Sequence, residues 1–403
     1  MLSNKVKIIF FYLLLSILPF WSCMDPYKVD ISNSENLLVV EALITDENKS
    51  HVVKISRSIS DFGDVYSSEE NATVIIVCND GTEEVLTEKS PGFYVTDSLN
   101  FKAIVGNCYK LRIKTKDGDA YESSDCKMLP PTAIDRIYYE INEITNVNDE
   151  QIGGIQFYVD GKAEPGSYIR WLYEEVWKFA IPYPQYATFV DNEEGDGKEL
   201  VSITPKNVYC WKKSESHEIA VQSLENQSST LIKDKKVCFV PTGINDKFNI
   251  KYSINIKQLS ISREEYNYLH KLKESTEEID DLFGSQPYSV KGNIKNITNA
   301  NEPVLGYFQM GSVTSKRVFI SWQDAIDLGI QNVIVLESCP TDTIYTNEGS
   351  FKDLYSIYEH YVINGDLVLH DREMLPTGLI LTEPQCADCR LTGSPNRPEF
   401  WED

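Results

Sequence analysis

Positive charge is what this chain most lacks. Its 403 residues carry 38 Lys and Arg against 61 Asp and Glu, a formal net charge of −23. Affinity for a phosphate backbone comes from clustered Lys and Arg, so nucleic acid is excluded as a partner. Histidine is scarce too: His51, His217, His270, His360 and His370 stand at no metal-ligating spacing, and no constellation of carboxylate and nucleophile surrounds any of them in sequence. There is no G-x-S-x-G, no H-E-x-x-H and no Gly-rich phosphate loop. No familiar catalytic class is encoded locally, and the chain is read as a non-enzyme with no cofactor and no metal. Fixed-period repeats and low-complexity tracts are absent. Long apolar runs are absent as well, with one exception. Ile8 to Phe20 is nearly all apolar, yet falls short of the roughly 20 residues a spanning helix needs.

What is present points to exported β structure. Lys5 and Lys7 precede that apolar run, and the small Ser22 precedes Cys23, which is the pattern of a signal peptide. A cysteine directly after the cleavage site is the mark of a bacterial lipoprotein, and several acyl chains together anchor a protein stably. Residues 1–22 are therefore read as a leader, Cys23 as the lipidated residue that holds the chain to membrane lipid, and residues 23–36 as a tether. Ordinary secretory cleavage and an uncleaved anchor are the alternatives. Loss of the leader removes Lys5 and Lys7 and takes the net charge from −23 to −25.

Lipidation also accounts for an odd number of cysteines. Of nine, eight remain: Cys78, Cys108, Cys126, Cys210, Cys238, Cys339, Cys386 and Cys389. An even number in an exported chain favours structural disulfides. Partly free thiols, or metal or redox chemistry at Cys386-Ala-Asp-Cys389, are the alternatives. A zinc site would need a second ligand pair, which the sequence does not supply. Cys339 with Cys386 or Cys389 is the favoured pairing, since it would tie the tail to the last domain.

Hydrophobic residues make up 42% and charged residues 25%, enough for an ordinary core. Tyrosine is abundant and methionine rare, which leans toward strands. Leu37 to Ile44 and Ala72 to Cys78 are apolar runs, Val53 and Ile55 share a face with Ile59, and Tyr109, Leu111 and Ile113 alternate with Lys110, Arg112 and Lys114. Asp80-Gly81 and Asp117-Gly118 suit the tight turns between them. The expected fold is mainly β: an immunoglobulin-like sandwich over residues 37–129, a boundary at Pro130-Pro131, and a larger β-rich, sandwich-like domain over 130–403. One long helix interrupts the second domain near 262–283, where Ser262-Arg-Glu-Glu265 reads as a capping box and Tyr266, Leu269, Leu272 and Phe283 follow at helical spacing. Asp324 to Leu328 and Phe351 to Val362 are candidates for short helices.

Two segments have a binding reading beside a plain one. Asp191 to Gly197 is acidic enough for a calcium loop but lacks the ligand pattern of an EF-hand, so it is read as a solvated loop. Trp171, Tyr173 and Trp177 are either a platform for a glycan or peptide ligand or one face of a core strand.

The tail Pro384-Gln-Cys386-Ala-Asp-Cys389-Arg to Pro398-Glu-Phe-Trp401 resembles the closing motif of a Bacteroidota outer-membrane lipoprotein family of the domain of unknown function 4249 type. Leu38 to Thr45, Cys108-Tyr-Lys-Leu-Arg-Ile, Tyr168-Ile-Arg-Trp171, Ile261-Ser-Arg-Glu-Glu-Tyr266, Gly292 to Asn296 and Val304-Leu-Gly-Tyr-Phe308 are similar to that family as well. The resemblance implies an accessory or ligand-capturing partner of a TonB-dependent outer-membrane receptor, lipid-anchored at the outer membrane on its periplasmic or its outer face. A glycan-binding surface lipoprotein, or a hydrolase of envelope polymers, are the alternatives.

Overall fold

The computed structural model describes residues 36–58, 67–146, 148–194, 197–225, 230–277, 290–331, 339–346 and 351–402. Cys23, Ile59 and the far end of the expected helix lie outside them.

The alternating segments become strands. From Cys108–Lys114, Tyr109, Leu111 and Ile113 point into a core while Arg112 and Lys114 face solvent. Leu38–Thr45 and Val52–Arg57 pair antiparallel, and Phe93–Val95 adds to their edge. Facing them, Thr73–Cys78, Cys108–Lys114 and Ala120–Ser123 form a second sheet. Leu38, Val40, Ile55 and Tyr94 from one sheet meet Val74, Ile76, Leu111 and Tyr121 from the other. Gly81 and Gly118 sit at φ +90° and +99° in the turns, where a side chain would strain the backbone.

Residues 37–129 do not complete this sandwich. Leu38–Thr45 is a central strand whose second edge needs a partner for its backbone groups. That partner is Leu305–Ser321, which runs parallel to it from Leu305 to Gly311. Ile294–Asn296 joins the opposite sheet beside Ala120–Ser123. Ile294, Val304, Phe308 and Met310 enter the same core. A parallel partner must arrive by a crossover, so it comes from far along the chain.

Beyond Gly311 the same strand changes neighbours. From Ser312 to Ser321 it pairs antiparallel with Lys251–Ile261, which pairs in turn with Tyr168–Ala180. Tyr209–Glu215 and Ala220–Ser223 complete that end. One ten-stranded sheet therefore runs through both halves of the molecule. The inner face of its second half packs on a three-stranded sheet of Ala133–Thr145, Gln151–Lys162 and Leu231–Pro241. The fold is mainly β and sandwich-like, as expected. A satellite unit of short strands and the helix Phe351–Tyr358 has its own small core of Leu200, Leu354, Leu369, Leu379 and Leu381.

The outer face of the shared sheet is covered at two places. The helix Arg263–Glu277 lies over one end. At the other end the tail brings in Trp401, 3% exposed, between the rings of Trp211 and Phe319 at 6.2 and 5.7 Å. Ser394 exchanges two backbone hydrogen bonds of 2.9 Å with Trp211 on the edge strand. Gly393 is required there, since a Cβ would lie 2.6 Å from the Phe179 ring.

Two disulfides fasten the tail: Cys339–Cys386, one of the favoured pairings, and Cys210–Cys389, which ties it to the edge strand. Cys78, Cys108, Cys126 and Cys238 are free, contrary to the expectation that all eight pair. Cys78 is the cross-strand partner of Tyr109, so the adjacent Cys108 points to the opposite face. Cys126 donates instead to the Phe308 carbonyl, and Cys238 is buried in the second core. Burial pushes both the Cys126 and Cys238 thiols up to about 12, leaving them unreactive.

Cys23 apart, thiol titration of denatured, unreduced protein should count four thiols, and eight after reduction. Trp401→Ala should lower unfolding free energy by about 3 to 5 kcal/mol in urea, the cost of emptying a large aromatic site.

Candidate functional site

Tyr168–Ala180 is the strand from which the site is best built, because its two faces diverge. Ile169, Trp171, Trp177 and Phe179 enter the second core, with Tyr173 packed half-buried against it. Trp171 is 0% exposed and its indole N–H donates to Gln258 Oε1 at 3.0 Å. Trp177, 9% exposed, donates to Asp246 Oδ1 at 2.9 Å. The three rings are therefore core residues and not an exposed stacking platform. The aromatic face of this strand has a second sheet laid over it and is not free to stack on a sugar.

The other face carries Arg170 and Leu172 toward the helix side. Ser262 caps the helix, accepting from the Glu265 backbone N–H at 3.1 Å. The Glu265 carboxylate does not return to the cap. It turns down onto the sheet, is 2% exposed, and accepts from the Met310 N–H at 3.4 Å with its other oxygen unpartnered. Arg170 hydrogen-bonds Gln309 on the shared strand, and its Nε is unpartnered. Burial pushes the Glu265 carboxyl up to about 7, against the opposing pull of Arg170 and the Met310 N–H. Tyr268 stacks near Tyr307 beside this cluster, with ring centroids 4.7 Å apart. The spacing of Glu265, Leu269 and Leu272 is the signal that places the glutamate on the buried face; a capping-box reading alone passes over it.

Clefts surround the helix. A groove of about 270 Å³ has Leu43, Leu172, Leu259 and Val313 among its lining residues and Glu47 at its rim. Lys257 and Lys49 reach Glu47 at 2.7 and 2.8 Å. Burial opposes ionisation of Glu47, but the two ammonium groups prevail and hold its carboxyl down at about 2. A larger cleft of about 790 Å³ opens between the two halves, over Pro130, Pro131 and Ala163. At its side Tyr168 donates to Glu225 at 2.7 Å, and Arg263 contacts both. A third cleft, about 550 Å³, lies where the second sandwich opens, with Gln156, His217, Glu218, Lys235, Lys236 and Lys273 on its walls.

The histidines stay apart. His51 is buried in the first sandwich, 2.9 Å from Thr45 Oγ1, and burial, reinforced by the charge of Lys49, brings it down to about 4. Among the described residues no group of three His, Cys, Asp or Glu converges as a metal ion requires. The Asp191 to Gly197 loop lies partly outside the described residues; its flanks are closed by an Asp191–Lys198 ion pair of 2.6 Å. What the clefts offer is fixed shape and charge on walls of hydrogen-bonded strands.

A family model for a domain of unknown function (DUF4249) matches residues 24–317. That span includes both halves of the shared sheet and ends four residues short of the end of Leu305–Ser321. No curated protein matches the chain.

A carboxyl whose folded pKa is raised stabilises the fold fully below its unfolded value of 4.5, and that stability is lost as pH rises through about 7. Glu265→Gln cannot titrate. The urea midpoint of the wild type should therefore fall relative to that of the variant between about pH 5 and pH 8. Parallel profiles would show that Glu265 keeps an ordinary pKa.

Proposed function

The chain belongs to the DUF4249 family of domains of unknown function, and from that premise we propose that it is a lipid-anchored protein that captures a ligand for an outer-membrane transporter. The observation that carries the reading is the strand Leu305–Ser321, hydrogen-bonded to Leu38–Thr45 on one side and Lys251–Ile261 on the other. Because both halves share it, the clefts along the sheet keep one geometry. Preorganised walls reduce the entropy that capture would otherwise cost.

The leader pattern supports the anchor. With Cys23 acylated, residues 23–36 span at most about 50 Å when fully extended, so the body stays beside the membrane. The mature charge of −25 suits that position poorly for binding anionic lipid through the body itself, which leaves the acyl chains as the membrane contact. A TonB-dependent receptor is the proposed partner, and a soluble ligand handed to it is the proposed cargo.

Tagged protein with Cys23 intact, extracted in detergent, should bring down a β-barrel protein identifiable by mass spectrometry. Cys23→Ala should lose acyl label and leave the membrane fraction. Retention of the variant in membranes, or a wild-type eluate without a barrel protein, would count against the anchor and the partnership respectively.

A further inference from the structure

The cleft of about 790 Å³ between the two halves is bounded by segments that the fold holds in place. On one side the turn after Gln151–Lys162 is fixed by backbone hydrogen bonds, from Ala163 N–H to Thr230 at 2.9 Å, from Gly166 N–H to Leu224 at 3.2 Å and from Ser167 N–H to Glu164 at 3.1 Å. On the other runs the linker Leu129-Pro130-Pro131-Thr132, tied down where Thr132 Oγ1 accepts from Gln258 Nε2 at 2.9 Å. The start of the helix closes a third side, and there the charge is answered internally. Arg263 contacts Glu225 and donates to the Tyr168 hydroxyl, 2.7 Å away.

Other charges on these walls are not answered. Lys127, Lys162, Glu164 and Glu264 line the cleft, are exposed, and make no side-chain hydrogen bond and no ion pair among the described residues. Both signs are present in equal number, so a ligand of one sign would be drawn by half of them and repelled by the other half, and a neutral one would gain from none. The walls between them are apolar. Pro130, Pro131 and Pro165 present ring carbons and no N–H, and Ala163 and Ile261, 6% and 0% exposed, line the cleft with them. Ser167 and Thr230 add hydroxyls that can serve amide groups. A ligand that fits is oppositely charged at its two ends, apolar along its side and able to hydrogen-bond in between.

We propose that this cleft binds a short peptide with free termini and apolar side chains, its carboxylate met by Lys127 and Lys162 and its ammonium by Glu164 and Glu264. The volume admits about three to five residues and not a folded chain. Solvated charge pairs contribute little affinity, so apolar burial binds the peptide and the charges select it. This rests on the capture reading above and specifies its cargo.

The probes are the tetrapeptide Leu-Ala-Leu-Ala with free termini, the same peptide acetylated, amidated or both, and maltotriose, each titrated into the detergent-solubilised full chain at low salt and read by calorimetry. Expected is binding of the free peptide about tenfold or more tighter than of the doubly capped one. Lys127→Met with Lys162→Met should abolish the preference for a free carboxylate, and Glu164→Gln with Glu264→Gln the preference for a free amine. All four positions are exposed, so an unchanged urea midpoint should show that the variants keep the fold. No binding of the free peptide at millimolar concentration, equal binding of free and capped peptides, binding indifferent to both double variants, or binding of maltotriose in its place would overturn the site. Barrel co-isolation is scored separately: a barrel without peptide binding removes the site and leaves the capture role, while peptide binding without a barrel does the reverse.

Discussion

One strand gives its two edges to two halves of the molecule, and the rest of the architecture follows from that. Leu305–Ser321 is long enough to exchange neighbours midway, parallel to Leu38–Thr45 up to Gly311 and antiparallel to Lys251–Ile261 beyond. Its backbone groups cannot be left unpaired inside a protein, so each half is obliged to supply a matching strand. Close approach at the crossover needs residues without side chains. Gly306 has φ +88°, and a Cβ there would lie 2.0 Å from the Val40 carbonyl oxygen. Gly292 is pressed as closely against Gly306. The parallel pairing is thus locked by steric fit as well as by hydrogen bonds.

A sheet shared in this way has two faces to cover, and the chain covers them differently. The inner side takes a second sheet in each half. The outer side takes a helix at one end and a disulfide-fastened tail at the other. Beside the helix, at the margin of the cluster it covers, lies the groove lined by Leu43, Leu172, Leu259 and Val313. The polar cluster under the helix has a related origin. Arg170 occupies an outer-face position of a strand whose inner face is committed to Trp171, and the helix laid over it buries Glu265 near enough for the two charges to act on each other without an ion pair. Burial of these two polar groups is more costly than an apolar contact would be, which argues for a role in fixing where the helix sits.

Much of this is legible in the sequence. Period-two alternation identified Cys108–Lys114 because one face meets water and the other a core, and the Ser262 cap marked the helix start because cap chemistry is local. What escaped was non-local. Nothing in the composition of Val304 to Met310 says that it completes a sandwich begun at Leu38, because pairing across more than 250 residues leaves no periodic trace. The aromatic stretch was ambiguous for the opposite reason: a strand face that binds sugar and one that fills a core share the same alternation, and only the sheet laid over it decides. Cysteines were equally mute. Cys78 and Cys108 lie close in the fold but on opposite faces, which is a matter of register and not of spacing. The charges around the cleft between the halves were invisible as well, since Lys127, Lys162 and Glu264 stand on different elements and converge only when the halves pack.

The shared strand also sets the order in which the molecule can be finished. As the chain emerges from its amino terminus, Leu38–Thr45 appears early, but the strand that pairs with its second edge is separated from it by most of the second half. Until then the first sandwich is an open sheet with an unpaired apolar edge, a template for association with any other chain. The amino-terminal portion is thus a dependent of the carboxy-terminal one, and a truncated product ending before Leu305 is an aggregation hazard where a two-domain protein of separable parts would leave a sound fragment.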